Sequence, residues 1–166
     1  MGKVLLQRYE KNPILIPNEA NWWESKAVFN CGILYYDNKF HMLYRAIGEY
    51  DRYISRIGYA SSTDGYSFAR SNNIVLKPTK DYEKYGIEDP RIVEIDHQIY
   101  ITYVVLSTYV TDVTDGAIVE ASTALATTTD FLNYARLGVI TGKGSNNKDV
   151  VLFPEKMSQQ QSSSVL

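Results

Sequence analysis

Two carboxylates and a guanidinium stand within four residues, Glu88-Asp89-Pro90-Arg91, ahead of the strand-like apolar run from Ile92 to Ile95. Pro90 fixes its own φ and favours an extended conformation at Asp89. Charges in such a position are costly to bury unless each of them is paired or used. The motif therefore predicts either a turn with a solvated acid-base pair or a functional site.

The composition is that of a folded globular domain. The 166 residues are 45% hydrophobic and 22% charged, and the net charge of -2 argues against a nucleic-acid partner. No apolar run is long enough to span a membrane. Cys31 is the only cysteine, so no internal disulfide forms and a cytoplasmic location is expected. His41 and His97 do not pair with it at a metal-ligand spacing, so no metal site is predicted.

Short apolar segments separated by turn residues predict an all-β fold. In the first half, strands are expected over 27–36, 40–46, 54–62 and 66–70, with a tight turn at Asp37-Asn38-Lys39. No window shows the periodicity of an amphipathic helix.

The same order of strands then recurs. Residues 89–96 align with 30–37 and residues 99–103 with 40–44 at an offset of 59, and residues 123–136 align with 57–70 at an offset of 66. A third copy begins at Lys148. Four short strands per unit, repeated head to tail, are the signature of a β-propeller.

We therefore divide the chain into a partial β-propeller over 1–157 and a polar low-complexity tail over 158–166. The propeller part contains an N-terminal segment (1–23), two blades (24–70 and 84–140) and the start of a third (148–157). Two blades cannot close a ring, so we expect the N-terminal portion of a longer propeller; the alternative is a complete small β domain with a frayed tail. An uncovered blade face would also favour a homo-oligomer.

The offset of 59 superposes Asn30 on Asp89. Equivalent positions on the innermost strands of a propeller face its central axis, so we expect these two side chains to converge on one pocket. Arg45 and Arg56 lie on predicted strands, where a guanidinium needs an anionic or polyhydroxylated partner unless it is exposed at an edge.

Six spaced motifs carry a resemblance to a known family. They are Asn12-Pro-Ile-Leu15, Trp23 to Asn30, Leu43-Tyr-Arg-Ala46, Ile54 to Ala60, Gly86 to Arg91 and Asp149 to Lys156. Together they resemble glycoside hydrolase family 130, the β-mannoside phosphorylases and β-mannosidases on a five-bladed propeller. The resemblance implies that Asp89 is the catalytic acid of an inverting phosphorolysis of manno-oligosaccharides. Inorganic phosphate is then the co-substrate, α-mannose 1-phosphate is the product, and no cofactor is needed.

The resemblance also implies roles for other residues. The expected substrate contacts are Asn30, Arg45, Ser55, Arg56, Glu88, Arg91 and Tyr103, with Tyr103 on the acceptor side. Arg136 is the candidate phosphate contact, although it also repeats Arg70, which favours a structural role. The chain departs from the family at Ser122-Thr123, where a phosphate-binding arginine often stands. Two alternatives therefore remain open: a β-mannoside hydrolase of the same fold, and an inactive carbohydrate-binding fragment.

Overall fold

The computed structural model describes residues 5–110, 118–142 and 145–155, and this part of the chain consists mainly of strands. The strands are β1 (Ala27–Tyr36), β2 (Lys39–Ile47), β3 (Ser55–Ser62), β4 (Ala69–Arg70), β5 (Ile87–Ile95), β6 (Gln98–Val110), β7 (Ile118–Thr128) and β8 (Ala135–Val139). Two single-turn 3-10 helices, Trp22–Glu24 and Asp81–Glu83, precede β1 and β5. Within these ranges no helix is long and apolar enough to cross a bilayer.

The eight strands form two successive four-stranded antiparallel sheets, β1–β4 and β5–β8, each in sequence order. The predicted all-β class and the repeated four-stranded unit are thereby confirmed. Both first hairpins turn on two left-handed residues at equivalent positions, Asp37 and Asn38 in one sheet and Asp96 and His97 in the other. Left-handed residues at both turn positions match the twist of antiparallel strands.

The segment expected to begin a third blade contains no strand among its described residues, 148–155. The predicted tail, 158–166, lies outside the described residues, as do residues 111–117 of the insertion in the second unit. Strands β6 and β7 extend up to that insertion and remain paired as far as Val110 and Ile118.

The two sheets share one core. Its buried apolar residues come from both sheets and from the segment between them: Leu43, Ile57, Leu76, Ile87, Ile99, Ile101, Tyr103, Val105, Ala124, Ala126 and Phe131. The innermost strands, β1 and β5, approach closely at Gly32. A Cβ atom on Gly32 would lie 2.6 Å from the Pro90 carbonyl oxygen, so a side chain there is sterically excluded.

We predict that Gly32→Ala destabilises the fold by about 1–3 kcal/mol, because the added methyl group pushes β1 away from β5. The free energy of unfolding in urea measures the effect. Gly142→Ala is the matched control, since a Cβ at Gly142 meets nothing within 4 Å. Equal stability of the two variants would contradict the close approach.

His41 connects the two sheets through aromatic stacking. Its ring lies on Phe131, in the turn between β7 and β8 of the second unit, with centroids 3.9 Å apart and planes 11° apart. Its nitrogens contact the Tyr59 hydroxyl at 2.8 Å and the Tyr36 carbonyl oxygen at 3.1 Å. Burial lowers the pKa of His41 below its ordinary value of 6.5.

The lowered pKa of His41 predicts that stability depends on pH. Below pH 6.5 the unfolded chain binds a proton that the folded chain excludes, so the free energy of unfolding falls as the pH drops through that value. Thermal unfolding between neutral and mildly acidic pH measures this slope. His41→Gln reduces this slope, because glutamine does not titrate. A slope in His41→Gln equal to that of the unchanged chain would contradict the assignment to His41.

Candidate active site

The site begins at two residues with unusual backbone conformations. Asn30 and Asp89 have φ values of 48° and 50°. The pairing of β1 with β2 shifts register at Asn30, and the pairing of β5 with β6 shifts register at Asp89. Asn and Asp adopt the left-handed region more readily than other residues with a side chain. The Asn30 amide Nδ2 donates a hydrogen bond of 3.0 Å to the Asp89 carboxylate Oδ1. The structure thus brings together the two residues that the repeat superposes.

Arg45 on β2 is the central cation of the site. Its Nη2 lies 2.5 Å from Glu88 Oε1 and its Nη1 lies 3.3 Å from Asp89 Oδ1. Its Nε donates to Ser55 Oγ at 2.9 Å, and that hydroxyl in turn donates to Glu88 Oε1 at 3.2 Å. These four residues are buried, with Asp89 8% exposed and Glu88 3%. Buried charges of this kind persist only when they are paired.

The hydrogen bonds to Asp89 are unevenly distributed over its carboxyl group. Both contacts, from Asn30 and from Arg45, are made by Oδ1. Among the described residues, none donates a hydrogen bond to Oδ2. Within the described residues, the carboxyl group is therefore anchored through Oδ1 alone.

Two aromatic rings orient the Arg45 guanidinium. Its central carbon lies 4.7 Å from the centre of the Phe29 ring and 5.7 Å from the centre of the Tyr53 ring. Contacts of a guanidinium with ring faces are favourable and restrict its rotation. The cation that positions both carboxylates is thereby itself held in place.

The segment after β8 closes one side of the cluster. Lys148 Nζ lies 3.6 Å from Glu88 Oε2, and Asp149, which also has a left-handed φ of 60°, pairs with Arg91 at 2.5 Å. Arg91 also donates to the Pro90 carbonyl oxygen. Arg91, an expected substrate contact, thus binds a carboxylate and a carbonyl oxygen of the chain itself at the rim of the site.

Arg56 lies in a different environment from the rest of the expected sugar contacts. It pairs with Glu49 at 3.3 Å, donates to the Ile54 carbonyl oxygen and lies over the Trp22 ring at 4.8 Å. It lines a groove of about 430 Å³ beside the loop that follows β2. No hydrogen bond or ion pair of the described residues connects Arg56 to Asp89.

Tyr103 and Arg136 require a correction of the sequence interpretation. Tyr103 is 1% exposed and donates to Glu83 Oε1 at 3.0 Å, while Arg136 Nε lies 2.7 Å from the same oxygen. Burial and the Glu83 carboxylate raise the pKa of Tyr103. Because both side chains are committed to a buried carboxylate, the expected acceptor contact of Tyr103 and the expected phosphate contact of Arg136 do not fit their positions.

The first sheet contains the same buried arrangement. Glu24 accepts a hydrogen bond from the Tyr44 hydroxyl at 2.8 Å and pairs with Arg70 at 2.9 Å. The counterparts of this Glu–Tyr–Arg triad in the second unit are Glu83, Tyr103 and Arg136. They follow by 59, 59 and 66 residues, which are the offsets of the repeat. The offset of 66 had paired Arg136 with Arg70 and favoured a structural role, but sequence analysis did not predict the glutamate and the tyrosine of each triad.

The comparisons with known proteins agree with a carbohydrate-active propeller. The model of glycoside hydrolase family 130, described as beta-1,4-mannooligosaccharide phosphorylase, matches residues 6–164. The chain therefore belongs to this family.

Curated relatives and solved structures give the same family. A 1,2-beta-oligomannan phosphorylase of Thermoanaerobacter sp. (strain X514) is 38% identical over 93% of this chain and 51% of its own length. The structure of a beta-1,2-mannobiose phosphorylase from Listeria innocua, in complex with beta-1,2-mannobiose, matches with a TM-score of 0.70 and 25% identity, over 90% of this chain and 54% of that one. A glycosyl hydrolase from Bacteroides ovatus matches with a TM-score of 0.65 and 28% identity, over 80% of this chain and 40% of that one. The chain thus spans 51%, 54% and 40% of the lengths of these three proteins, respectively.

We predict that Arg45→Ala destabilises the fold by about 3–5 kcal/mol, because it leaves the buried Glu88 and Asp89 without their shared cation. Urea unfolding measures the loss. Arg52→Ala, which removes an exposed arginine, is the control and changes stability little. A loss no larger than that of the control would show that the cluster is not electrostatically coupled.

Proposed function

We propose that this chain supplies the catalytic acid and part of the sugar site of an inverting β-mannoside phosphorylase. The observation that supports the proposal most directly is the Asp89 carboxyl group, which is nearly buried and held through one oxygen by Asn30 and Arg45. Family membership and the names of the curated relatives agree with it.

In the proposed reaction, Asp89 takes up a proton before the chemical step and gives it up as the glycosidic bond breaks. The proton passes through a hydroxyl group of the bound mannose to the oxygen of the leaving sugar. An oxygen of inorganic phosphate attacks C1 from the opposite face. This forms a new bond between C1 and that oxygen and inverts the anomeric configuration. The products are α-mannose 1-phosphate and the shortened oligosaccharide. One acid suffices because phosphate is already an anionic nucleophile, whereas inverting hydrolysis needs a second carboxylate to activate water.

The other residues of the cluster have positioning roles in this proposal. Arg45 and Asn30 fix the direction of the Asp89 carboxyl group, and Glu88 and Ser55 fix Arg45. Inorganic phosphate serves as co-substrate, and no cofactor takes part in the chemistry.

A β-mannoside hydrolase of the same fold is the second candidate. Ser122, at the position where a phosphate-binding arginine was expected, is 8% exposed, and Thr123 next to it donates to the Asn147 carbonyl oxygen. A solved family member matching with a TM-score of 0.64 and 27% identity is described as belonging to glycoside hydrolases that target beta-1,2 mannosidic linkages in Candida mannan. Water in place of phosphate as the nucleophile would release free mannose.

We predict that Asp89→Asn lowers the release of mannose 1-phosphate from β-1,2-mannobiose and phosphate by about 10²–10⁴-fold, because the isosteric amide is too weak an acid to protonate the leaving sugar. Phosphorus NMR of the product measures the rate. Asp81→Asn, which alters an exposed carboxylate in a 3-10 helix, is the control and retains activity.

Three results would argue against the phosphorylase. Release of free mannose at the same rate with and without phosphate would favour the hydrolase. Binding of mannobiose without any product would favour a non-catalytic carbohydrate-binding role. Full activity of Asp89→Asn would exclude Asp89 as the acid.

A further inference from the structure

The segment after β8, where a third repeat unit was expected to begin, places an aspartate beside the candidate acid motif. Asp149 stands 60 residues after Asp89, which itself stands 59 residues after Asn30. All three residues have left-handed backbones, with φ values of 48°, 50° and 60° in chain order. This conformation is uncommon outside glycine and is enriched in Asn and Asp. Asp149 therefore occupies in the third unit the position that Asn30 and Asp89 occupy in the first two.

The acid lies at a point where the strand ladder does not hold the backbone. The register of β5 with β6 shifts between Glu88 and Arg91, so Asp89 and Pro90 fall between paired positions. Proline has no N–H group, so Pro90 offers only its carbonyl oxygen as a hydrogen-bonding group. That oxygen accepts a hydrogen bond of 3.1 Å from Arg91 Nη1. The bulge that carries the acid is thus held by a side chain.

Arg91 bridges this carbonyl group and Asp149. Its Nη1 donates to the Pro90 oxygen, and its Nη2 lies 2.5 Å from Asp149 Oδ1. A guanidinium is planar and rigid, so two contacts fix its orientation. The first sheet has no such bridge, because the residue equivalent to Arg91 at the offset of 59 is Gly32. The Asp149 carboxylate therefore determines how the acid-bearing bulge of the second sheet is held.

The Arg91–Asp149 pair is too exposed to contribute much to folding. The two side chains are 32% and 52% exposed, and ion pairs in contact with water stabilise proteins little. The backbone of the segment is held separately, since the Val150 carbonyl oxygen accepts a hydrogen bond from the Thr102 hydroxyl. Removal of the Asp149 carboxylate therefore frees Arg91 without releasing the segment.

We propose that Asp149 is a positioning residue for the acid. Through Arg91 it holds the bulge of β5 in the conformation that directs the Asp89 carboxyl group toward Asn30 and Arg45. A displacement of about 1 Å at a reacting group slows a reaction strongly, whereas the loss of an exposed ion pair changes stability little. The role of Asp149 is therefore in catalysis, and for the reaction concerned this inference rests on the proposed function.

The first test measures the release of mannose 1-phosphate from β-1,2-mannobiose and phosphate by the full chain. Asp149→Gly, which keeps the left-handed conformation accessible, lowers kcat about tenfold and leaves KM within about twofold, because it affects the acid and not sugar binding. Asp149→Asn loses less than about threefold, because its amide oxygen still accepts a hydrogen bond from Arg91. Asp37→Gly is the matched control and retains activity, since Asp37 is an exposed, left-handed aspartate in the hairpin turn between β1 and β2.

The second test asks whether Asp149 acts through Arg91. Arg91→Gln also lowers kcat, and adding Asp149→Gly to it causes no further loss, because two changes that break one contact are not additive. The order of the bulge is measured without any reaction, by nitrogen-15 NMR relaxation. The order parameter of the Asp89 amide falls from about 0.85 to below about 0.6 in Asp149→Gly and is unchanged in Asp37→Gly.

The positioning role is overturned if Asp149→Gly is as active as the unchanged chain, if its KM rises while kcat is retained, if the losses of the two single variants add, or if the Asp89 order parameter does not change. Failure of the proposed function has a separate signature, the absence of mannose 1-phosphate from the unchanged chain. The phosphorylase is then rejected, and the order parameter alone supports or overturns the hold of Asp149 on the bulge.

Discussion

The charge balance around Arg45 is the constraint on which the candidate site depends. One guanidinium contacts two buried carboxylates, Glu88 and Asp89, and a hydroxyl, Ser55, and two aromatic rings restrict its rotation. Glu88 comes from the second sheet and Arg45 from the first, so the pairing also joins the sheets. The same contact that stabilises the junction therefore determines where the Asp89 carboxyl group points.

The repeat separates structural residues from functional ones. The Glu–Tyr–Arg triads occur in both sheets with the same partners, as expected for groups that hold each blade together. At the left-handed position the sheets differ, with an amide at Asn30 and a carboxylate at Asp89. The two copies thus agree at the groups that hold each blade together and differ at the position of the proposed acid.

Sequence reasoning predicted the strands and the hairpin turns, because the alternation of apolar residues and the turn residues are local signals. It also predicted the meeting of Asn30 with Asp89, because the offset of 59 residues places them at equivalent positions of two similar sheets. It did not predict Glu83 as the shared partner of Tyr103 and Arg136, because Glu83 is distant from both in sequence and the contact becomes apparent only in three dimensions.

The shared backbone geometry of Asn30 and Asp89 has an evolutionary consequence. Asn and Asp codons differ by a single base, and both residues tolerate the left-handed conformation at these bulges. After duplication of an ancestral module, one nucleotide change at this point suffices to replace an amide with an acid and leaves the surrounding strand intact. An amide in the repeat would thereby be replaced by a carboxylic acid without any rearrangement of the strands around it.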